Sequence, residues 1–378
     1  MDGRGRPRSV ILGALVMAST VASAALPEFP IAVWLQEPAN APKFKAAGIN
    51  LYVGLWKGPT EEQLATLRAA GMPVICDQNE VGLKHLNDST IAGWMHGDEP
   101  DNAQSLPEGQ EGYGPPIPAA TIVAGYERIR KADPSRPVML NLGQGVAWDN
   151  WYGRGVRTNH PEDYAEYAKG CDIASFDIYP AVHDHAEVAG NLWFVPFGVE
   201  RLKGWAPKKT VWNCIEASRI SNVKVSPSPA QVRFEVWSSI ISGSRGLIYF
   251  VHQFEPKFIE ASLLEDPDLL AGVTAVNRQV AELAPVIDSD EIQDGVTLKP
   301  KNQDDRFRVM HKRHGGSDWV FVASWNPRPT RAVMKLVPER RSRGKIEVVG
   351  ERRTVRIEGS TFTDAFPAYS VHIYRIGK

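Results

Sequence analysis

Cysteine is scarce. Cys76, Cys171 and Cys214 are the three in 378 residues, and an odd count at wide spacing makes neither a disulfide framework nor a zinc-finger pattern. Buried free thiols are the expected state, with one bridge left open. Net charge is also missing: Lys and Arg total 43 against 44 Asp and Glu. Apart from a short Arg-rich run around 339–344, no basic stripe occurs, so nucleic-acid binding and steering to an anionic membrane lack support. Past the N-terminus no stretch is long and apolar enough to cross a bilayer. A glycine-rich phosphate loop and a Cys-x-x-Cys motif are absent too, and no metal, nucleotide or redox cofactor is called for.

The N-terminus holds Arg4, Arg6 and Arg8, then the apolar run "SVILGALVMASTVASA" ending in Ala22-Ser23-Ala24. This pattern is a secretory signal, residues 1–24, with cleavage expected after Ala24. A single membrane anchor is the rival, but the run falls short of the ~20 residues a span needs. The expected location is secreted or periplasmic, with no stable membrane insertion after cleavage.

Beyond the signal, 43% hydrophobic content supports a sizeable core and one large domain plus a smaller one. Short apolar runs alternate with helical periodicity in eight rounds. The strand candidates are 29–36, 49–56, 72–79, 91–99, 137–144, 171–180, 210–218 and 246–254. Thr60 and Gln63 form a capping box, and Ser228 caps a helix with Pro229 in its first turn. Eight strand–helix rounds over roughly 260 residues predict an α/β fold, a (β/α)8 TIM barrel, at 25–288. From 289 to 378, short alternating runs separated by turns predict a small antiparallel β-sandwich.

Polar residues gather at the C-terminal strand ends, which form the mouth of such a barrel. The fourth candidate, "GWMHGDEPD", ends in Asp98 and Glu99, and the seventh, "VWNCIEAS", ends in Glu216. Strands 4 and 7 face each other across a barrel mouth, and glycoside hydrolysis needs a facing pair of carboxyls. Glu99 could instead cap the following helix, and Glu216 could be a plain loop residue. The Gly- and Pro-rich segment from Asn102 to Pro118 is read as a loop overhanging the cleft.

These two motifs on this fold pattern resemble the clan A retaining glycoside hydrolases, over roughly residues 29–285. The resemblance implies Glu99 as acid/base and Glu216 as nucleophile in a double displacement on a β-linked glycan or glycoside, an oligo- or polysaccharide. The clan's motif is usually Asn-Glu-Pro; here Asp98 stands first, and an ionised Asp98 only accepts hydrogen bonds. The resemblance also implies Tyr179 as a partner of the nucleophile, with Asp177 two residues before it. At the eighth strand, where the clan often ends in tryptophan, this chain has Tyr249, Phe250 and His252.

Further substrate contacts are expected from His96, which strand alternation places beside Asp98, and from Trp34, Trp56, Trp148 and Trp151 near strand ends. Two other classes stay open. A metal-dependent barrel hydrolase would recruit His96, His183, His185 and Asp177, and a silent carbohydrate-binding barrel would keep the cleft without turnover.

Overall fold

The computed structural model describes residues 26–107, 110–337 and 342–377. The segment read as a signal, and residues 339–341 of the Arg-rich run, lie outside them. Strands β1 (Ile31–Trp34), β2 (Leu51–Val53), β3 (Val74–Asp77), β4 (Ile91–Asp98), β5 (Val138–Leu142), β6 (Ile173–Phe176), β7 (Thr210–Val211), β8 (Asn213–Glu216) and β9 (Leu247–Phe250) form one parallel sheet. β7 and β8 are two pieces of a single barrel strand separated by Trp212. β7 pairs with β6, while β8 pairs with β9, and β9 pairs with β1 to close the barrel. The seventh strand candidate thus forms as two pieces, and the fold is the expected (β/α)8 barrel.

Side chains alternate along these strands, so one set fills the barrel and the other meets the surrounding helices. Leu51, Val53, Ile75, Met139, Ile173 and Ile248 belong to the interior cluster. The outer layer consists of α1 (Ala41–Ala46), α2 (Glu61–Ala70), α3 (Glu80–Lys84), α4 (Ala119–Ala132), α5 (Tyr164–Tyr167), α6 (Phe194–Trp205), α7 (Pro229–Ser242) and α8 (Pro267–Ile287). Both capping signals form: Thr60 accepts from Gln63 N at α2, and Ser228 accepts from Gln231 N at α7. Among the described residues no helix is long and apolar enough to cross a membrane. All three cysteines are buried and unbridged.

The C-terminal region is one eight-stranded antiparallel sheet, in the order β10-β13-β16-β15-β14-β17-β12-β11, around its own core of Val322, Met334, Ile357 and Phe362. Its strands are β10 (Val296–Pro300), β11 (Phe307–His314), β12 (Ser317–Ser324), β13 (Thr330–Leu336), β14 (Ser342–Val348), β15 (Arg353–Gly359), β16 (Thr361–Phe366) and β17 (Ser370–Ile376). Contacts such as Trp237 to Phe321, with ring centroids 5.8 Å apart, join this sheet to α7.

Candidate active site

Strand β4 aims the acidic motif, and it does so with two bulges. Val74 and Ile75 pair with Ile91 and Gly93, which leaves Ala92 extra; Met139 and Leu140 pair with Met95 and Gly97, which leaves His96 extra. Each added residue flips the side-chain parity that follows. Ala92 and Met95 therefore face the barrel interior, while Trp94 donates its indole N–H to Asp133 outside, at 2.9 Å. His96 also leaves the interior: its Nε2 lies 2.7 Å from the Ile122 carbonyl of α4. The expectation that His96 touches substrate is corrected, because simple alternation ignored the bulge.

Asp98 then reaches the cleft, and Glu99 follows with φ 44°. This left-handed backbone is what lets two consecutive side chains line one cleft. Asn141, on β5, organises the carboxyls. Its Nδ2 donates to Asp98 Oδ1 at 2.9 Å and to Asp177 Oδ2 at 3.4 Å, and its Oδ1 accepts from Ser175 Oγ at 2.6 Å. Asp177 and Glu99 face each other as a pair of interacting carboxyls. Burial, then the charges of Asp98 and Asp101, raise Glu99 to about 8. Burial and the Glu99 charge raise Asp177 well above the usual carboxylate range. Asp98 is open to the cleft but ringed by protein, and the reduced contact with bulk solvent raises it as well.

A buried scaffold stands behind the motif. Asp101 accepts from Gly143 N at 2.9 Å and from the Tyr164 hydroxyl at 2.8 Å, beside Arg154 at 4.0 Å. Arg154 continues to Asp163 at 2.7 Å. A Cβ on Gly143 would come within 2.8 Å of Asn102 Oδ1 and 3.0 Å of Glu99 Oε1, so this position needs glycine for close approach.

The cleft encloses about 930 Å³ and its walls carry Trp34, Trp56, Trp151, Asp177, Tyr179 and His252 from the sequence-predicted set. Trp151 donates to Asn102 Oδ1 at 2.8 Å. Sequence reasoning missed Asn141, Glu37, Glu260 and the pair Phe254 and Phe258. Phe250, Phe254 and Phe258, four residues apart, were a signal in themselves, for they form a wall around His252 with centroids 5.2–6.2 Å away.

Trp148 corrects another expectation. It is 2% exposed, packed under Trp151 and His185 at 5.9 and 4.7 Å, and is not on the cleft wall. The segment after Glu99 folds back on the neighbouring loop, with Ala103 N donating to Gly153 O at 2.8 Å, and its described residues do not line the cleft. The residues of the metal reading do not form one site: His183 and His185 are neighbours, with His185 N donating to His183 Nδ1 at 3.0 Å, but His183 Nε2 lies 3.0 Å from Gln144 Oε1, His185 packs against Trp148 at a tilt, and His96 turns to the Ile122 carbonyl of α4. Among the described residues no group of three or more metal-ligating side chains converges.

Glu216 departs most from expectation. It is fully buried and absent from the cleft wall. Its two oxygens accept the N–H groups of Ala181 and Val182 at 2.6 and 3.0 Å, and it stands beside Glu235 of α7. Two adjacent buried carboxyls do not both ionise, and burial with the Glu216 charge keeps Glu235 protonated. A carboxylate committed to two backbone amides outside the cleft wall is not placed to attack a sugar in it.

The chain is similar over most of its length to many solved structures, three of which follow. One is an alpha-amylase from Geobacillus thermoleovorans complexed with acarbose, at TM-score 0.56 and 10% identity, covering 94% of this chain and 99% of that one. Another is a maltogenic alpha-amylase from Thermotoga neapolitana, at 0.56 and 9%, covering 93% and 99%. The third is a putative alpha-galactosidase from Bacteroides fragilis, at 0.51 and 10%, covering 93% and 79%. The class these likenesses define is the (β/α)8 barrel with a C-terminal β domain, the fold of those glycoside hydrolases. No family model and no curated protein matches the sequence.

Proposed function

We propose that the protein is a glycoside hydrolase whose general acid is Glu99. The observation that carries this reading is a carboxyl raised to about 8, among two further carboxyls, in an aromatic-walled cleft at the C-terminal barrel mouth. Glu99 is protonated at neutral pH and donates to the glycosidic oxygen as the bond breaks. Asp98 is the second carboxylate. Its hydrogen bond from Asn141 favours the charged form, which stabilises the oxocarbenium-like transition state. Asp177, raised well above the usual carboxylate range by burial and by Glu99, stands against the acid. Trp34, Trp56, Trp151 and the phenylalanine wall offer faces for pyranose rings, and an oligo- or polysaccharide substrate is the class such a cleft suits. The likeness to the two alpha-amylases and the putative alpha-galactosidase supports the assignment by fold. The Arg-rich start and apolar run before Ala24 support action outside the cytoplasm.

The test is sugar release from a panel of α- and β-linked aryl glycosides and polysaccharides by wild type, Glu99→Gln, Asp98→Asn and Glu216→Gln. Release that falls about 10²–10⁴-fold in the first two variants and stays within roughly tenfold of wild type in the third supports these roles. Undiminished release by Glu99→Gln sinks them. The first anomer released assigns the course: retention gives Asp98 the attack, and inversion gives it the activation of water. A binding barrel without turnover is the second reading, favoured by the absence of Glu216 from the cleft, and binding without release by wild type establishes it.

A further inference from the structure

Below the mouth the barrel interior is apolar, with Met139 of β5 and Ile173 of β6 in its core cluster. Two residues further along the same strands, and so on the same inner side, come Asn141 and Ser175. Asn141 pairs with Asp98 on one side and with Ser175 on the other, which sets the three abreast across β4, β5 and β6. Asn141 borders the cleft, whereas Ser175 is fully buried and off its wall.

A side-chain amide has two N–H donors and one oxygen with two lone pairs. All four positions of Asn141 are engaged. Its Nδ2 reaches Asp98 Oδ1 at 2.9 Å and Asp177 Oδ2 at 3.4 Å, while its Oδ1 accepts from Ser175 Oγ at 2.6 Å and is approached by the Cys214 thiol at 3.8 Å. Turned over, the amide would set its oxygen against two carboxyls. A hydroxyl donating to that oxygen holds the amide the right way round and polarises its N–H groups, since linked hydrogen bonds strengthen one another away from water.

Asp98 depends on such a donor. Glu99 and Asp101 in its own segment and Asp177 beyond β6 are the charged groups set against it, Tyr179 and Cys214 are kept neutral by burial, and among the described residues no lysine or arginine lines the cleft. Burial pushes the Asp98 carboxyl up, and the Asn141 hydrogen bond opposes it.

We infer that Ser175 is a positioning residue of the hydrolysis: by donating to Asn141 it turns that amide's N–H groups to the cleft, where they keep Asp98 ionised and aimed. This rests on the reading of the cleft as a hydrolase site with Asp98 as its second carboxylate, and it names what holds that carboxylate. Ser175 touches neither the cleft nor a substrate in it, so its influence runs through Asn141 alone.

The experiment follows Asp98 directly, by carboxyl-carbon NMR of the full-length protein isotopically labelled at its aspartate side chains, with the Asp98 signal assigned from Asp98→Asn. Ser175→Ala, which deletes a single oxygen, is titrated beside wild type, Asn141→Ala and the double variant, with thermal unfolding as the check on folding. Asn141→Ala is expected to raise the midpoint of Asp98 ionisation by about one pH unit and Ser175→Ala by about half as much. The double variant should move no further than Asn141→Ala, because the hydroxyl acts through the amide. The pH–rate profile of sugar release should follow: in Ser175→Ala the acidic limb shifts up, with turnover about threefold lower below that limb and within about twofold of wild type above it. An Asp98 midpoint that Ser175→Ala leaves in place, or a Ser175→Ala shift that recurs at full size in the Asn141→Ala background, overturns the inference. The NMR titration needs no turnover. Coupled shifts in a protein that releases no sugar remove the hydrolase and keep this relay, and sugar release with an unmoved Asp98 does the reverse.

Discussion

Glu99 joins a left-handed backbone, at φ 44°, to a carboxyl that holds its proton to about 8. An acid that must be protonated to work loses activity as it ionises. The rate of the wild-type protein is therefore expected to fall above pH ~8, tenfold per pH unit, which a pH–rate profile on a substrate with a poor leaving group checks. Glu216 makes the parallel prediction for stability. Burial raises it from 4.5 to about 7 in the folded state. Between those values the folded chain keeps a proton that the unfolded chain has lost, so raising the pH through this window lowers stability. Below pH 4.5 both states are protonated and the group contributes no slope. Thermal unfolding from pH 4.5 to 8 should show the decline in wild type and a shallower one in Glu216→Gln.

Among the elements, β4 determines what reaches the cleft, and its bulges explain how much of the site could be read from the sequence. Asp98, Glu99, Asp177 and Tyr179 sit at strand ends where hydrophobic runs turn polar, a signal visible without coordinates. His96 and Glu216 followed from alternation and strand opposition, which assume regular pairing. One extra residue at His96, and one pair of amides at Ala181 and Val182, defeat that assumption, and no composition signal marks either. Glu37, Phe254, Phe258 and Glu260 lie past the strand ends, in segments whose path only packing defines. The β4–α4 contact gives a test of the bulge: a Cβ at Gly125 would approach His96 Nε2 to 2.8 Å. Gly125→Ala is expected to cost about 1–3 kcal/mol by denaturant unfolding. Gly143→Ala, which crowds Asn102 and Glu99, should cut turnover by more than its stability loss explains, measured by kcat beside the same unfolding curve.

At the scale of the whole molecule, the barrel was legible because short apolar runs alternate with helical periodicity, whereas β10 and β16 were missed because each is a short run with few apolar residues. The two domains share a packed boundary: Phe234 meets Tyr369 at 5.2 Å, and Arg308 pairs with Glu200 while lying 4.3 Å from the Trp325 ring. A chain ending at residue 288 leaves Phe234 and Trp237 uncovered, and it is expected to aggregate or to melt well below wild type, with dye binding to exposed apolar surface as the readout. The same pairings constrain the order of assembly. β1 waits for β9, and β12 has β11 on one side but waits for β17 on the other. A ribosome therefore extrudes nearly the whole barrel before its first strand finds its second neighbour, and the barrel's outer boundary is covered only after that. Until then the nascent chain presents open sheet edges, and its yield in a cell depends on what shields them during synthesis.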